Sequence, residues 1–157
     1  MTESWDEVVA SLSGAYGLKA WGSELGYGSF VTVSFGERQP GKDYGTYYLW
    51  IYMAPWRLED AEAVLAASED EDRAEVAKKI AMLDGRVLIS IAVEYPSLSA
   101  RFEFEGGLVL TTFSESRTDE HWMFFRPDGS VITAGPGSSL WIEPASGPAE
   151  SGYPARR

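Results

Sequence analysis

The chain of 157 residues carries 24 acidic against 13 basic side chains, a net charge of −11. That balance repels nucleic acid and anionic lipid and attracts basic proteins. One histidine, His121, and no cysteine leave few of the groups that transition-metal sites and nucleophile–base pairs require. A length of this order makes one domain, able to bury about 68–70% of its unfolded surface without a disulfide or metal.

In chain order, Ser4 and Glu7 have capping-box spacing. Trp5, Val8, Val9 and Leu12 recur at helical intervals, and Gly14 follows; a short N-terminal helix is predicted. A short strand over 16–21 precedes a glycine-rich stretch, 22–29. Residues 30–35 read as a strand with Val31, Val33 and Phe35 on one face and Thr32 and Ser34 on the other. Residues 44–54 give the strongest strand. Tyr47, Leu49, Ile51 and Met53 alternate with Tyr48, Trp50 and Tyr52, the pattern of a central strand covered on both sides.

Residues 58–83 read as the main helical region. Ala61–Ala67 form a first turn or two, and Ser68 with Glu71 sets a second cap. Ala74, Ala77, Ile80, Ala81 and Leu83 give an apolar stripe. Glu69, Asp70, Glu71 and Asp72 would occupy the first turn and Lys78 and Lys79 the last, each where the helix dipole favours it.

The remainder reads as an antiparallel meander. In 86–94, Val87, Ile89, Ile91 and Val93 point inward. In 98–105, Ala100, Phe102 and Phe104 point inward and Arg101, Glu103 and Glu105 outward. Gly106-Gly107 turns back into 108–113. The strand 121–126 reaches the turn Pro127-Asp128-Gly129, and 131–134 and 139–142 complete the set. From 144 onward, Pro, Gly, Ala and Ser offer little to bury, so a mobile tail over 144–157 is expected after a single domain over 1–143.

Candidate chemistry is sparse. Gly26-Tyr27-Gly28 lacks the third glycine and the following helix of a nucleotide loop. His121 beside Asp119 and Glu120 has the makings of a general base, but the reading preferred is that it starts an edge strand. Glu103 and Glu105 share a strand face about 6.5–7 Å apart at the backbone, within the ~5–9 Å of glycosidase pairs and also the spacing of an ordinary solvent face. The charge itself is clustered. Residues 59–75 hold eight acids and one base, Arg73, and such clustering speeds association with a cationic partner. Glu69, Asp70, Glu71, Asp72 and Glu75 are the candidate partner contacts. Tyr48, Trp50, Tyr52 and Trp56 are a candidate aromatic face or pocket, or core.

The Leu49-Trp50-Ile51 and Trp56-Arg57 block, the Ser68-Glu69-Asp70 entry, Leu83-Asp84-Gly85, and Trp122-x-Phe124 before Pro127-Asp128-Gly129 together resemble a group of small bacterial domains. Some of these are proposed immunity proteins. The resemblance spans about residues 30–137 and implies binding and blocking of a toxin, with no active site carried over.

The sequence therefore predicts an α+β domain: a twisted antiparallel sheet or partly open barrel packed against one main helix, plus the short N-terminal helix. The expected function is non-catalytic binding of a basic protein, without cofactor or metal and without nucleic acid or membrane. The alternatives are an aromatic small-ligand site and a carboxylate-dependent hydrolase. The acidic N-terminus, which lacks a signal-peptide pattern, and the missing cysteine point to the cytoplasm. Nine arginines against four lysines fit a bacterial source.

Overall fold

A computed structural model describes residues 4–145. The fold is mostly antiparallel β-structure in two open sheets, with two helices. The first sheet runs in the order β1 (Ala20–Leu25), β2 (Val31–Arg38), β3 (Gly45–Ile51), β9 (Trp122–Phe125), β10 (Ser130–Ala134), β11 (Leu140–Pro144). The second runs β5 (Val64–Ala67), β4 (Trp56–Glu59), β8 (Val109–Thr112), β7 (Ala100–Phe104), β6 (Leu88–Val93). Helix α1 is Trp5–Ser11 and α2 is Arg73–Ile80.

The alternation in the strands decides what each sheet buries. Val31, Val33 and Phe35 of β2, Leu49 and Ile51 of β3, and Trp122 and Phe124 of β9 join Phe102, Phe104 and Leu110 of the second sheet in one core. Phe35 stacks on Phe104 at 6.1 Å between ring centroids, and Phe102 meets Trp122 edge-on at 6.0 Å. The sheets thus face each other across a shared apolar layer. Main-chain hydrogen bonds between residues 17–20 and 85–88 join them at one corner, without closing them into a barrel.

Helix α1 starts as expected: Ser4 Oγ accepts from Glu7 N and donates to the Glu7 carboxylate. Val8 and Leu12 are buried, and α1 packs against β11. Gly129 takes φ +82° in the Pro127-Asp128-Gly129 turn, and β9 and β10 pair across it.

Several expectations are corrected. Residues 58–72 are not helical. Asp60 Oδ1 accepts from the backbone N–H of Glu62 (2.8 Å) and Ala63 (2.9 Å), closing a turn between β4 and β5. The helix begins only at Arg73, capped by Asp72, whose side chain accepts from Glu75 N. Ser68 is instead buried and accepts from Trp56 N. Val76, Ile80 and Leu83 form the buried stripe, while Ala74, Ala77 and Ala81 are exposed. Helix α2 packs against β1 and β5, so a single sheet laid on one main helix does not describe the molecule.

The later strands are shared between the sheets: β8 pairs with β4, and β9 with β3. A register shift between Leu88 and Ser90 turns β6 over, so Leu88 and Ile91 are buried and Ile89 is 51% exposed. The last strand reaches Pro144, and Ala145 N donates to Gly129 O. The expected mobility of 146–157 lies outside the described residues.

Candidate functional site

The acidic stretch resolves into structural and exposed members. Asp60 holds its turn, and the Glu62 N–H, then the Ala63 N–H, keep its carboxyl below the usual carboxylate range. Asp70 Oδ2 accepts from Ala67 N at 2.9 Å, and Asp72 caps α2. Glu59 pairs with Arg57, and Glu75 with Lys78 at 3.4 Å across an exposed i,i+3 spacing, an arrangement of little net stabilisation. Among the described residues, Glu62, Glu69 and Glu71 make no ion pair. Of the five predicted contact residues, Glu69 and Glu71 have neither an ion pair nor a side-chain hydrogen bond among the described residues, whereas Asp70 and Asp72 accept from backbone N–H groups and Glu75 pairs with Lys78.

Arg73 ties this region down. Its guanidinium donates to Asp70 O (2.8 Å), Ser68 O (3.1 Å) and Gly28 O (2.9 Å). Ser29 Oγ donates to Ser68 O, and Trp56 Nε1 to Ser29 O at 2.7 Å. These bonds fasten the glycine-rich loop to the connection between β5 and α2, which lies 39 to 45 residues further along the chain.

The aromatic row splits. Tyr48, Trp50 and Tyr52 project from the face of the first sheet turned away from the shared core. There Trp50, Met123, Phe125 and Val131 form a second cluster with Phe30, Tyr48 and Tyr52 packed against it. Trp56 points into the main core and is 1% exposed, so the four rings do not line one pocket. Burial raises the Tyr48 phenol above its usual range, against a hydrogen bond with Thr32.

At one end of this outer face a groove of about 290 Å³ opens. Its walls include the rings of Phe30 and Tyr52, the exposed Met53, and the carboxyl-bearing Glu69, Glu115 and Asp119. Phe30 and Tyr52 sit 5.0 Å apart, and Trp50 meets Tyr52 edge-on at 4.8 Å. The groove joins the end of the acidic stretch to the end of the aromatic row. Phe30, Met53 and Glu115 were not singled out in the sequence. They come from three separate connections, and no local spacing links them.

His121 is not at an edge. It precedes the inner strand β9; its carbonyl accepts from Tyr52 N at 2.9 Å and its backbone N–H donates to Ala134 O at 2.7 Å. The residue is 1% exposed, and its ring packs against Gly135, where a Cβ would meet it at 2.9 Å. Among the described residues neither ring nitrogen has a hydrogen bond of good geometry. Burial pushes its pKa down, outweighing the Gly137 backbone and the Asp119 carboxylate, which favour the charged form. Glu103 pairs with Arg101 at 3.0 Å, whereas Glu105 lies in the turn after β7 and accepts from Val87 N. These two carboxylates do not converge. Among the described residues no cluster of His, Asp and Glu could hold a metal ion, and no helix is long and apolar enough to cross a membrane.

No family model matches the chain, and neither a curated protein nor a solved structure matches it.

Proposed function

We propose that this chain is a non-catalytic binding domain that takes an arginine-bearing segment of a basic protein. The observation that carries the reading is the groove, where Glu69, Glu115 and Asp119 share walls with Phe30 and Tyr52. A guanidinium is matched by this combination: it stacks on aromatic faces and pairs with carboxylates through a planar fork. The clustered acids of 59–75 supply the long-range field that steers a cationic partner to that end of the molecule. Toxin neutralisation by an immunity-type protein in a bacterial cytoplasm is the concrete form of this reading, supported by the charge and by the resemblance drawn from the sequence.

The test is anisotropy of a labelled oligoarginine peptide at low salt. Combined Glu69→Gln, Glu115→Gln and Asp119→Asn should weaken binding about tenfold, which is ~1.4 kcal/mol. Tyr52→Ala should weaken it further. Neutralising the same number of charges at Asp6, Glu37 and Glu94 is the control. An equal loss from that control would reduce the effect to net charge and overturn the groove.

A further inference from the structure

The second sheet turns its outer face to solvent. Trp56 and Leu58 of β4, Leu110 of β8, and Phe102 and Phe104 of β7 point into the shared core, so the residues alternating with them point away from it. Register sets these outward residues in two parallel rows. Ala67, Arg57, Thr111, Arg101 and Ala92 form one, and Val64, Glu59, Val109, Glu103 and Ser90 the other. The rows lie about 6.5–7 Å apart along the strands, and neighbours within a row about 4.8 Å apart across them.

Each row carries one sign of charge. Arg57 and Arg101 flank Thr111, whereas Glu59 and Glu103 flank Val109. Within the chain, Arg57 Nε pairs with Glu59 Oε1 at 3.2 Å and Arg101 Nε with Glu103 Oε1 at 3.0 Å. Among the described residues the terminal nitrogens of both guanidinium groups make no hydrogen bond, and neither does the second oxygen of either carboxylate. The side chains remain open to water, 40% and 49% exposed for the arginines and 25% and 42% for the glutamates. A guanidinium whose outer edge is free is matched by a second carboxylate.

Another copy of the chain presents that carboxylate. A two-fold axis running across the strands, midway between the rows, lays β8 antiparallel on β8 and sets each row over the other. Arg57 then faces Glu59 of the second copy, Arg101 faces its Glu103, and Thr111 faces its Val109. At the ends Ala67 meets Val64 and Ala92 meets Ser90, side chains short enough to let the sheets approach. The contact is isologous, so every pairing is made twice. The two arginines and two glutamates also cancel. The face is thus locally neutral on a chain of net charge −11, and a like-charged copy can approach it without local repulsion.

We infer that this face is a weak self-association surface, pairing two copies of the chain through the rows Arg57–Thr111–Arg101 and Glu59–Val109–Glu103. Five strands by about four residues make a patch of roughly 24 Å by 13 Å. That area, roughly 300 Å², is well below the ~800 Å² per partner of stable complexes, so pairing belongs to protein concentrations of about 0.1–1 mM. None of the ten residues lines the groove beside Phe30 and Tyr52, and the inference stands independently of the proposed function.

Sedimentation equilibrium of the full chain at about 0.15 M salt tests it. Between about 10 µM and 1 mM the average mass should rise from monomer towards dimer. Arg57→Glu with Arg101→Glu, and separately Glu59→Arg with Glu103→Arg, set like charges face to face. Each double variant should self-associate at least tenfold more weakly. Mixed in equal amounts, the two should pair again, because one presents only carboxylates and the other only guanidinium groups. Both chains stay net acidic, so overall charge does not draw them together. All four exchanges in one chain should restore self-association, since the rows merely change places. A chain that stays monomeric to about 1 mM, or a double variant that self-associates undiminished, would overturn the inference. A mixture that stays monomeric would overturn it too, even if the original chain dimerises, because the contact would then lie elsewhere.

Discussion

Arg73 is the perturbation that reports most on how the groove is built. Its guanidinium makes hydrogen bonds to Asp70 O, Ser68 O and Gly28 O at 2.8–3.1 Å. Hydrogen bonds to a charged group are worth about 1.5–3 kcal/mol each when removal leaves a partner buried. Arg73 is only half-buried and Asp70 and Gly28 are exposed, so in Arg73→Ala water takes over most of these carbonyls. The net loss is then about 2 kcal/mol, a fall in Tm of roughly 4–8 °C for a domain of this size. Urea denaturation should show a lower midpoint with an unchanged slope. Arg73→Lys should recover less than half, because a point ammonium cannot span carbonyls on two segments. Binding gives a sharper readout. If Arg73 acts only through charge, removing it should tighten oligoarginine binding. If it positions Ser29 and Phe30, binding should weaken. A loss of stability below ~0.5 kcal/mol, or tighter binding, would refute the reasoning.

Two further outcomes test the fold. At Gly45 a Cβ would lie 2.6 Å from Phe35 O and 3.0 Å from Phe35 N, both backbone atoms of the bulged β2–β3 pairing; Gly45→Ala should therefore cost about 1–3 kcal/mol by chemical denaturation, and a loss under ~0.5 would contradict the close approach. His121 has its pKa pushed down by burial, so below about pH 6.5 the unfolded chain binds a proton that the folded chain excludes. Stability should therefore fall as pH drops through that range, by at most ~1.4 kcal/mol per unit from this group, and His121→Gln should flatten the difference between about pH 7.5 and pH 5.5. An unchanged difference would show that the imidazole is not held neutral.

The sequence by itself determined those features whose signals are local. The Ser4 cap, the alternation of β3 and β7, and the Pro127-Asp128-Gly129 turn were all legible, because the residues that specify each lie within a few positions of one another. The same locality misled between 58 and 72. Alanines and acids there favour helix by propensity, but Asp60 closes a turn, and β5 pairs with β4, whose other neighbour β8 begins at Val109. β5 is thus held by the nearby β4, which is itself fixed by β8 about 50 residues further along, and tertiary pairing of that kind routinely overrides local preference. The β6 register shift, which exposes Ile89, is likewise invisible to a strict period of two. Only the tertiary structure separated Trp56 from Tyr48, Trp50 and Tyr52, since they belong to opposing sheets. Only it joined Phe30, Tyr52, Glu69, Glu115 and Asp119 into one groove, because side chains from distant segments meet through sheet order and loop closure and leave no periodic trace in the chain.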